Sequence, residues 1–153
     1  IRRQRQMCIR DRFIIAIASC KKNGESETKI SNNGSSESHK SGENCMNCHK
    51  KGGEGEGWFN IAGTIYDSLK VNTNPNGFVD LYTQPNGGGT LVKHLQVDGL
   101  GNFYSTESVN FGGGLFPVLV TKTGNKKFMG GSIKTGACNS CHGESKNHIW
   151  INN

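Results

Sequence analysis

The sequence predicts an all-β fold: a small antiparallel β-sandwich of about six strands over residues 58–135, flanked by two short cysteine-bearing segments. Three observations predict it. Apolar residues in that span recur at every second position, the period of a half-buried strand. Turn signals rich in Gly, Asn and Pro separate the runs. No stretch of helical length carries a 3.6-residue apolar period.

Taken in order, "WFNIAGTIYDS" places Phe59, Ile61 and Ile65 on one face, and "GFVDLYTQ" does the same with Val79 and Leu81. "TLVKHLQVD" adds Leu91, Leu95 and Val97, and "GNFYSTES", "LFPVLVTKT" and "KKFMGGSIKT" follow. The intervening "NPNG", "QPNGGG", "DGLGN", "FGGG" and "TGN" are turns. Strands with one apolar face and short reversals pack as two antiparallel layers. Pro117 cannot donate to a ladder, which predicts an edge strand or a bulge there. Six antiparallel strands return the chain to the end it entered, so segments flanking them should hang from one end of the sandwich. An additional strand near "LKVNTN" at 69–74 would send them to opposite ends.

The core cannot be large. Hydrophobic residues make up 33% of the 153-residue chain and 22 positions are Gly. Domains so poor in apolar surface are usually stapled by a disulfide, a metal or a cofactor. The cysteines are the place to look. Cys45-Met46-Asn47-Cys48-His49 lies in the segment 45–57, and Cys138-Asn139-Ser140-Cys141-His142 lies in 136–153. The remaining two are Cys8 and Cys20, near the N-terminus.

In a Cys-x-x-Cys-His run, two thiols can add across the two vinyl groups of one haem, and the next residue falls under the iron as proximal ligand. The doubled motif therefore predicts two covalently attached c-type haems, held by Cys45, Cys48 and His49, and by Cys138, Cys141 and His142. It resembles the attachment sites of multihaem c-type cytochromes. Two rivals use the same thiols: a tetrahedral zinc site with four cysteine ligands and redox dithiols. Neither accounts for a histidine after both pairs. The helix-wrapped class of small cytochrome c is excluded, because β pattern follows His49 and only eleven residues follow His142.

Sixth ligands come from the remaining side chains. His39, His94 and His148 lie outside the motifs, Met129 is a conceivable thioether ligand, and Met46 is confined to its own attachment loop. Neutral imidazole suits iron, and a methionine ligand would raise the potential. The expectation is low-spin bis-histidine haems, with His148 and His94 as metal ligands opposite His49 and His142. His148 follows His142 by only six residues, so it is assigned to the haem of His49. His94 shares a strand face with Val92 and Gln96, away from the core, and its plain alternative is a solvent-facing histidine. His39 reads as a tether residue without a role.

The net charge of +6 is concentrated at the start of the chain. All five arginines fall within residues 1–12, and setting these aside leaves +2, so no nucleic-acid patch remains. That stretch reads as a non-native leader, similar to adapter read-through. "FIIAIASC" then supplies a short apolar run, too short to span a bilayer, ending in Ile17-Ala18-Ser19-Cys20. Residues 13–20 resemble a truncated lipoprotein signal with its lipobox, which implies lipidation at Cys20. Residues 21–44 are Ser-, Asn- and Gly-rich with a single strongly apolar residue, Ile30. They predict a flexible tether reaching roughly 27 Å.

The sandwich region resembles carboxypeptidase regulatory-like, transthyretin-like domains of exported bacterial proteins. The resemblance rests on "AGTIYDS" at 62–68, "VDLY" at 79–82, "VDGLGNFY" at 97–104 and "GLFPVLV" at 114–120, with "TNPNGF" departing from the usual approach to the second strand. It implies a scaffold without catalytic residues.

Together these readings predict an exported, lipid-anchored dihaem c-type cytochrome that transfers electrons and is not an enzyme. It would sit in the periplasm or at the cell surface. Expected partners are redox proteins or an extracellular electron acceptor, the membrane through the lipid anchor, and no nucleic acid; self-assembly is compatible with the arrangement. The alternatives are a polysaccharide- or protein-binding sandwich with accessory haems, a zinc-stabilised exported domain, and a haem enzyme such as a peroxidase.

Overall fold

The computed structural model describes residues 27–153. The expected leader, the lipobox with Cys20, Cys8 and the first part of the tether lie outside the described residues.

The described residues form an all-β fold, as the alternation predicts. Six strands occupy the predicted runs: β1 (Ile61–Tyr66), β2 (Phe78–Gln84), β3 (Gly88–Gln96), β4 (Asn102–Ser105), β5 (Phe116–Val120) and β6 (Lys126–Phe128). Two strands of two residues follow, β7 (Gly136–Ala137) and β8 (Ile149–Trp150). One sheet has the order β3-β2-β5-β6 and is antiparallel throughout. In the other, β4 pairs antiparallel with one edge of β1. The other edge of β1 takes β7 and then β8, both parallel, with Ile61 opposite Gly136 and Ile65 opposite Ile149. Between the two sheets lie Ile61, Ile65, Val79, Leu81, Leu95, Val97, Phe103, Leu115, Leu119 and Ile151.

Two glycines allow β1 its close neighbours. A Cβ on Gly136 would collide with the carbonyl of Asn60, so only Gly brings β7 alongside. A Cβ on Gly63 would lie 2.6 Å from the Phe103 ring and 3.0 Å from the Cys138 Cβ. The bare backbone at Gly63 thus admits both a core aromatic and the second cysteine motif.

Three details depart from the sequence expectation. Leu91, expected inward with Leu95, is exposed. The β2–β3 register slips between Leu81↔Lys93 and Tyr82↔Leu91, and one extra residue turns every side chain beyond it to the other face. Pro117 is not on an edge, since β5 pairs with both β2 and β6; its ladder with β6 begins only at Val118, so the missing N–H is not called for there.

The third departure is larger. Residues 27–44, expected to belong to a free tether, run along the sandwich. Ile30 bridges Ser105, Ser31 is buried, and its N–H donates to the Tyr104 carbonyl at 3.0 Å. Further on, Gly42 N–H donates to Thr64 Oγ1 at 2.8 Å, and Asn102 Nδ2 donates to the hydroxyls of Ser38 and Ser41. Composition counts the apolar surface a segment can bury. This segment is held instead by polar side chains and backbone groups bonding to the sheet, which such counting does not register.

Candidate functional site

Each Cys-x-x-Cys-His motif folds into a single 3-10 turn, Cys45–Asn47 and Cys138–Ser140. The main-chain bonding is the same in both. His49 N–H donates to Cys45 O at 2.9 Å and Cys48 N–H to the same carbonyl at 3.3 Å. His142 and Cys141 repeat this toward Cys138 O, at 3.0 and 3.3 Å. A turn so tight sets both cysteines and the histidine of each motif along one cleft. Asn44 caps the first turn, its Oδ1 accepting from Met46 N–H at 3.2 Å.

The histidine rings are oriented by main-chain acceptors. His49 Nδ1 lies 2.9 Å from Glu56 O, and His142 Nδ1 lies 2.7 Å from Asn147 O. A carbonyl can only accept, so each Nδ1 carries the proton and Nε2 of the neutral ring is left with its lone pair. This is how a ligating histidine is normally prepared. His49 also stacks on Phe59, with ring centres 4.2 Å apart and planes within 6°, and Phe59 stacks in turn on Tyr104.

The four cysteines of the motifs are free thiols. Cys45 and Cys138 are partly covered, whereas Cys48 and Cys141 are exposed. Burial is the main cause that raises the thiol of Cys45 and pushes that of Cys138 up to about 12. Reactive redox thiols need the opposite shift, so Cys45 and Cys138 are not set up as nucleophiles. Among the described residues, no group of three or more His, Cys, Asp or Glu converges as a metal cluster would.

The two motifs lie side by side against β1. Asn139, the residue after Cys138, is buried and joins them. Its Oδ1 accepts from Thr64 N–H at 3.2 Å, and its Nδ2 donates to Thr64 Oγ1 at 3.1 Å and to Glu43 O at 2.9 Å. Seven strands, β1 to β7, separate the motifs, not the six on which the parity expectation rests, yet the motifs still meet. The physical reason is more local: the second motif is an excursion between β7 and β8, and both ends of it pair with β1.

Two clefts open beside the motifs. The first, of about 390 Å³, is lined by Cys45, Cys48, His49, Phe59, Tyr104 and His39. The second, of about 550 Å³, is bounded by Cys138, Cys141 and His142 on one side and by apolar core residues such as Leu81 and Phe103 on the other. Both volumes lie in the range of cofactor sites, roughly 300–1,000 Å³. Lys134 and Lys146 line the second cleft, as suits a ligand with an apolar body and carboxylate edges, while Lys127 Nζ lies over the Trp150 ring. The donor set therefore fits haem: paired thiols, a tautomer-fixed imidazole and a cleft at each motif.

The expected sixth ligands are placed differently. His94 lines neither cleft; it lies on β3 in the other sheet, 2.6 Å from Asp80 Oδ1 and stacked on Phe78. Its strand face points outward, as the alternation predicts, and that takes it away from both motifs. His148, assigned to the haem of His49, lines the cleft of His142 instead and stacks on Tyr66 at 4.4 Å. The pairing of β8 with β1 draws the tail back to its own motif. Met129 also lines that second cleft, just beyond β6. Sequence reasoning misses Asn139 and sets His39 aside. Asn139 occupies a variable position of its motif, and His39 comes from a segment with no pattern.

Comparison with protein-family models, with curated proteins and with solved structures finds no match to this chain.

Proposed function

We propose that this chain is an exported, lipid-anchored dihaem c-type cytochrome that transfers electrons, with the sandwich as its scaffold. One observation carries the reading. Two matched Cys-x-x-Cys-His turns stand side by side on β1, each presenting two thiols and a histidine whose Nδ1 is committed to a main-chain carbonyl. When bound, haem supplies reversible one-electron chemistry at iron. Cys45, Cys48, Cys138 and Cys141 would hold the two groups as thioethers, each S–H adding across one vinyl so that no oxidant is consumed. A thioether is neutral, which suits the covered positions of Cys45 and Cys138. His49 and His142 would provide proximal Nε2 ligands, their planes fixed by the carbonyls of Glu56 and Asn147. The apolar wall of the second cleft would exclude water, a means by which a protein sets the potential of such a group.

Protein purified from cells able to attach haem should contain two irons per chain and no zinc, and a reduced-minus-oxidised spectrum should show c-type bands. Zinc in place of iron would replace this reading by the four-cysteine alternative. A haem enzyme would need an open iron, so two equivalents of carbon monoxide per chain would favour catalysis over carriage.

The anchor rests on Ile17 to Cys20, outside the described residues. Cys20→Ser is expected to move the protein from the membrane fraction to the soluble one with its haem content unchanged. Unaltered fractionation would remove the lipid anchor from the proposal. Redox proteins or an extracellular acceptor are the partners it implies, at the periplasmic or outer face of a bacterial membrane.

A further inference from the structure

Resting on the haem reading, we infer that His39 is the second axial ligand of the haem attached at Cys45 and Cys48, opposite His49. The segment 27–44 is therefore part of that site and not only a spacer.

His39 and His49 face one cleft, together with both cysteines of the first motif. Their ring centres are 5.9 Å apart and their planes are tilted by 39°. Rings in direct stacking contact stand closer, as His49 and Phe59 do at 4.2 Å. Two imidazoles bound to opposite sides of one metal ion through bonds of about 2.0 Å have their centres about 6 Å apart. The observed separation matches that span, and the cleft shared with Cys45 and Cys48 places both rings at the first motif. His49 has its Nδ1 engaged by Glu56 O and one ring face covered by Phe59, so its remaining donor atom is Nε2.

The position of His39 is fixed by its neighbours. Ser38 Oγ and Ser41 Oγ both accept from Asn102 Nδ2, at 2.9 and 3.2 Å, and Asn102 is buried on β4. Gly42 N–H is held by Thr64 on β1. Clamps on both sides of His39 thus tie it to β4 and to β1, the strand against which the motif lies. Among the described residues, no other histidine outside the motifs lines this cleft.

The test is made on the full haem-loaded chain and reads ligation directly. Wild type and His39→Ala are compared for covalent haem on denaturing gels, for spin state and for carbon monoxide uptake by the reduced protein. The expected result is two attached haems in both proteins, with His39→Ala showing one haem turned high-spin and binding one more equivalent of carbon monoxide than wild type. Unchanged uptake and spin state with both haems attached would overturn the assignment. If His39→Ala does not yield folded protein, His39→Met answers the same question. One haem should stay six-coordinate with a raised potential while the other is unmoved, and two unchanged potentials overturn the proposal. Absence of covalent haem from wild-type protein is read on the gel alone. It would defeat the haem reading itself, and this inference with it.

Discussion

Replacing Cys45 and Cys48 together by Ala is expected to leave a protein that retains one covalent haem after denaturation, half that expected of the wild type. The same outcome is expected from Cys138→Ala with Cys141→Ala. The expectation follows from the way each turn is closed. The main-chain bonds that close the first turn run from residues 47–49 back to 44 and 45, and those of the second run from 141 and 142 back to 138. Neither set borrows a backbone partner from the other, so either attachment site should form alone. Haem staining of denaturing gels and the mass of the intact chain both read the result. Loss of both haems from either double variant would mean that the two sites assemble only together, and retention of both would sink covalent attachment through these cysteines.

Asn139→Ala is expected to destabilise the protein by about 2–4 kcal/mol without removing any cysteine or histidine. The side chain is buried, accepts from Thr64 N–H, and donates to Thr64 Oγ1 and to Glu43 O. Alanine leaves the Thr64 N–H and the Glu43 carbonyl without these partners, and a buried group so stranded costs roughly 1–3 kcal/mol. Ser145→Ala, at an exposed position of the same excursion, should stay within about 0.5 kcal/mol of wild type. Denaturant midpoints at equal slope provide the comparison. Equal midpoints for the two variants would show that Asn139 does not hold the second motif to β1.

Much of the fold is legible in the sequence because its signals are local. Val79 and Leu81, or Leu95 and Val97, advertise a buried face within a few residues, and glycine-rich turns mark where each run stops. What escapes depends on pairing between distant segments. β7 and β8 are two residues long and have no period to read; they exist because Gly136 fits beside Asn60 and Ile149 lies opposite Ile65. Leu91 faces outward against expectation because a register slip is a property of two strands together. The site divides along the same line. Five consecutive residues specify each attachment turn, so Cys45, Cys48, His49, Cys138, Cys141 and His142 are found at once. His39 escapes notice, since it is brought to the first cleft by hydrogen bonds that tie Ser38 and Ser41 to Asn102, on a strand far along the chain. His94 illustrates the converse. Its outward face is readable from alternation, but only the order β3-β2-β5-β6 shows that this face belongs to the sheet remote from both motifs.

The excursion between β7 and β8 also bears on how such a chain could change. It leaves β1 opposite Ala62 and returns opposite Ile65, so its two ends are anchored three residues apart on one strand. Closing a loop on fixed ends depends weakly on its length, and doubling the length adds only about 0.6 kcal/mol. Beyond Cys138, which packs against the core, and Asn139, which holds Thr64 and Glu43, residues 140–148 form the exchangeable part of the excursion. Longer or differently spaced ligand sequences could be spliced between the same two ladder pairs while Ile61, Leu81 and Phe103 kept their packing. In this architecture the sequence carried by the excursion is separable from the ladder pairs that hold it.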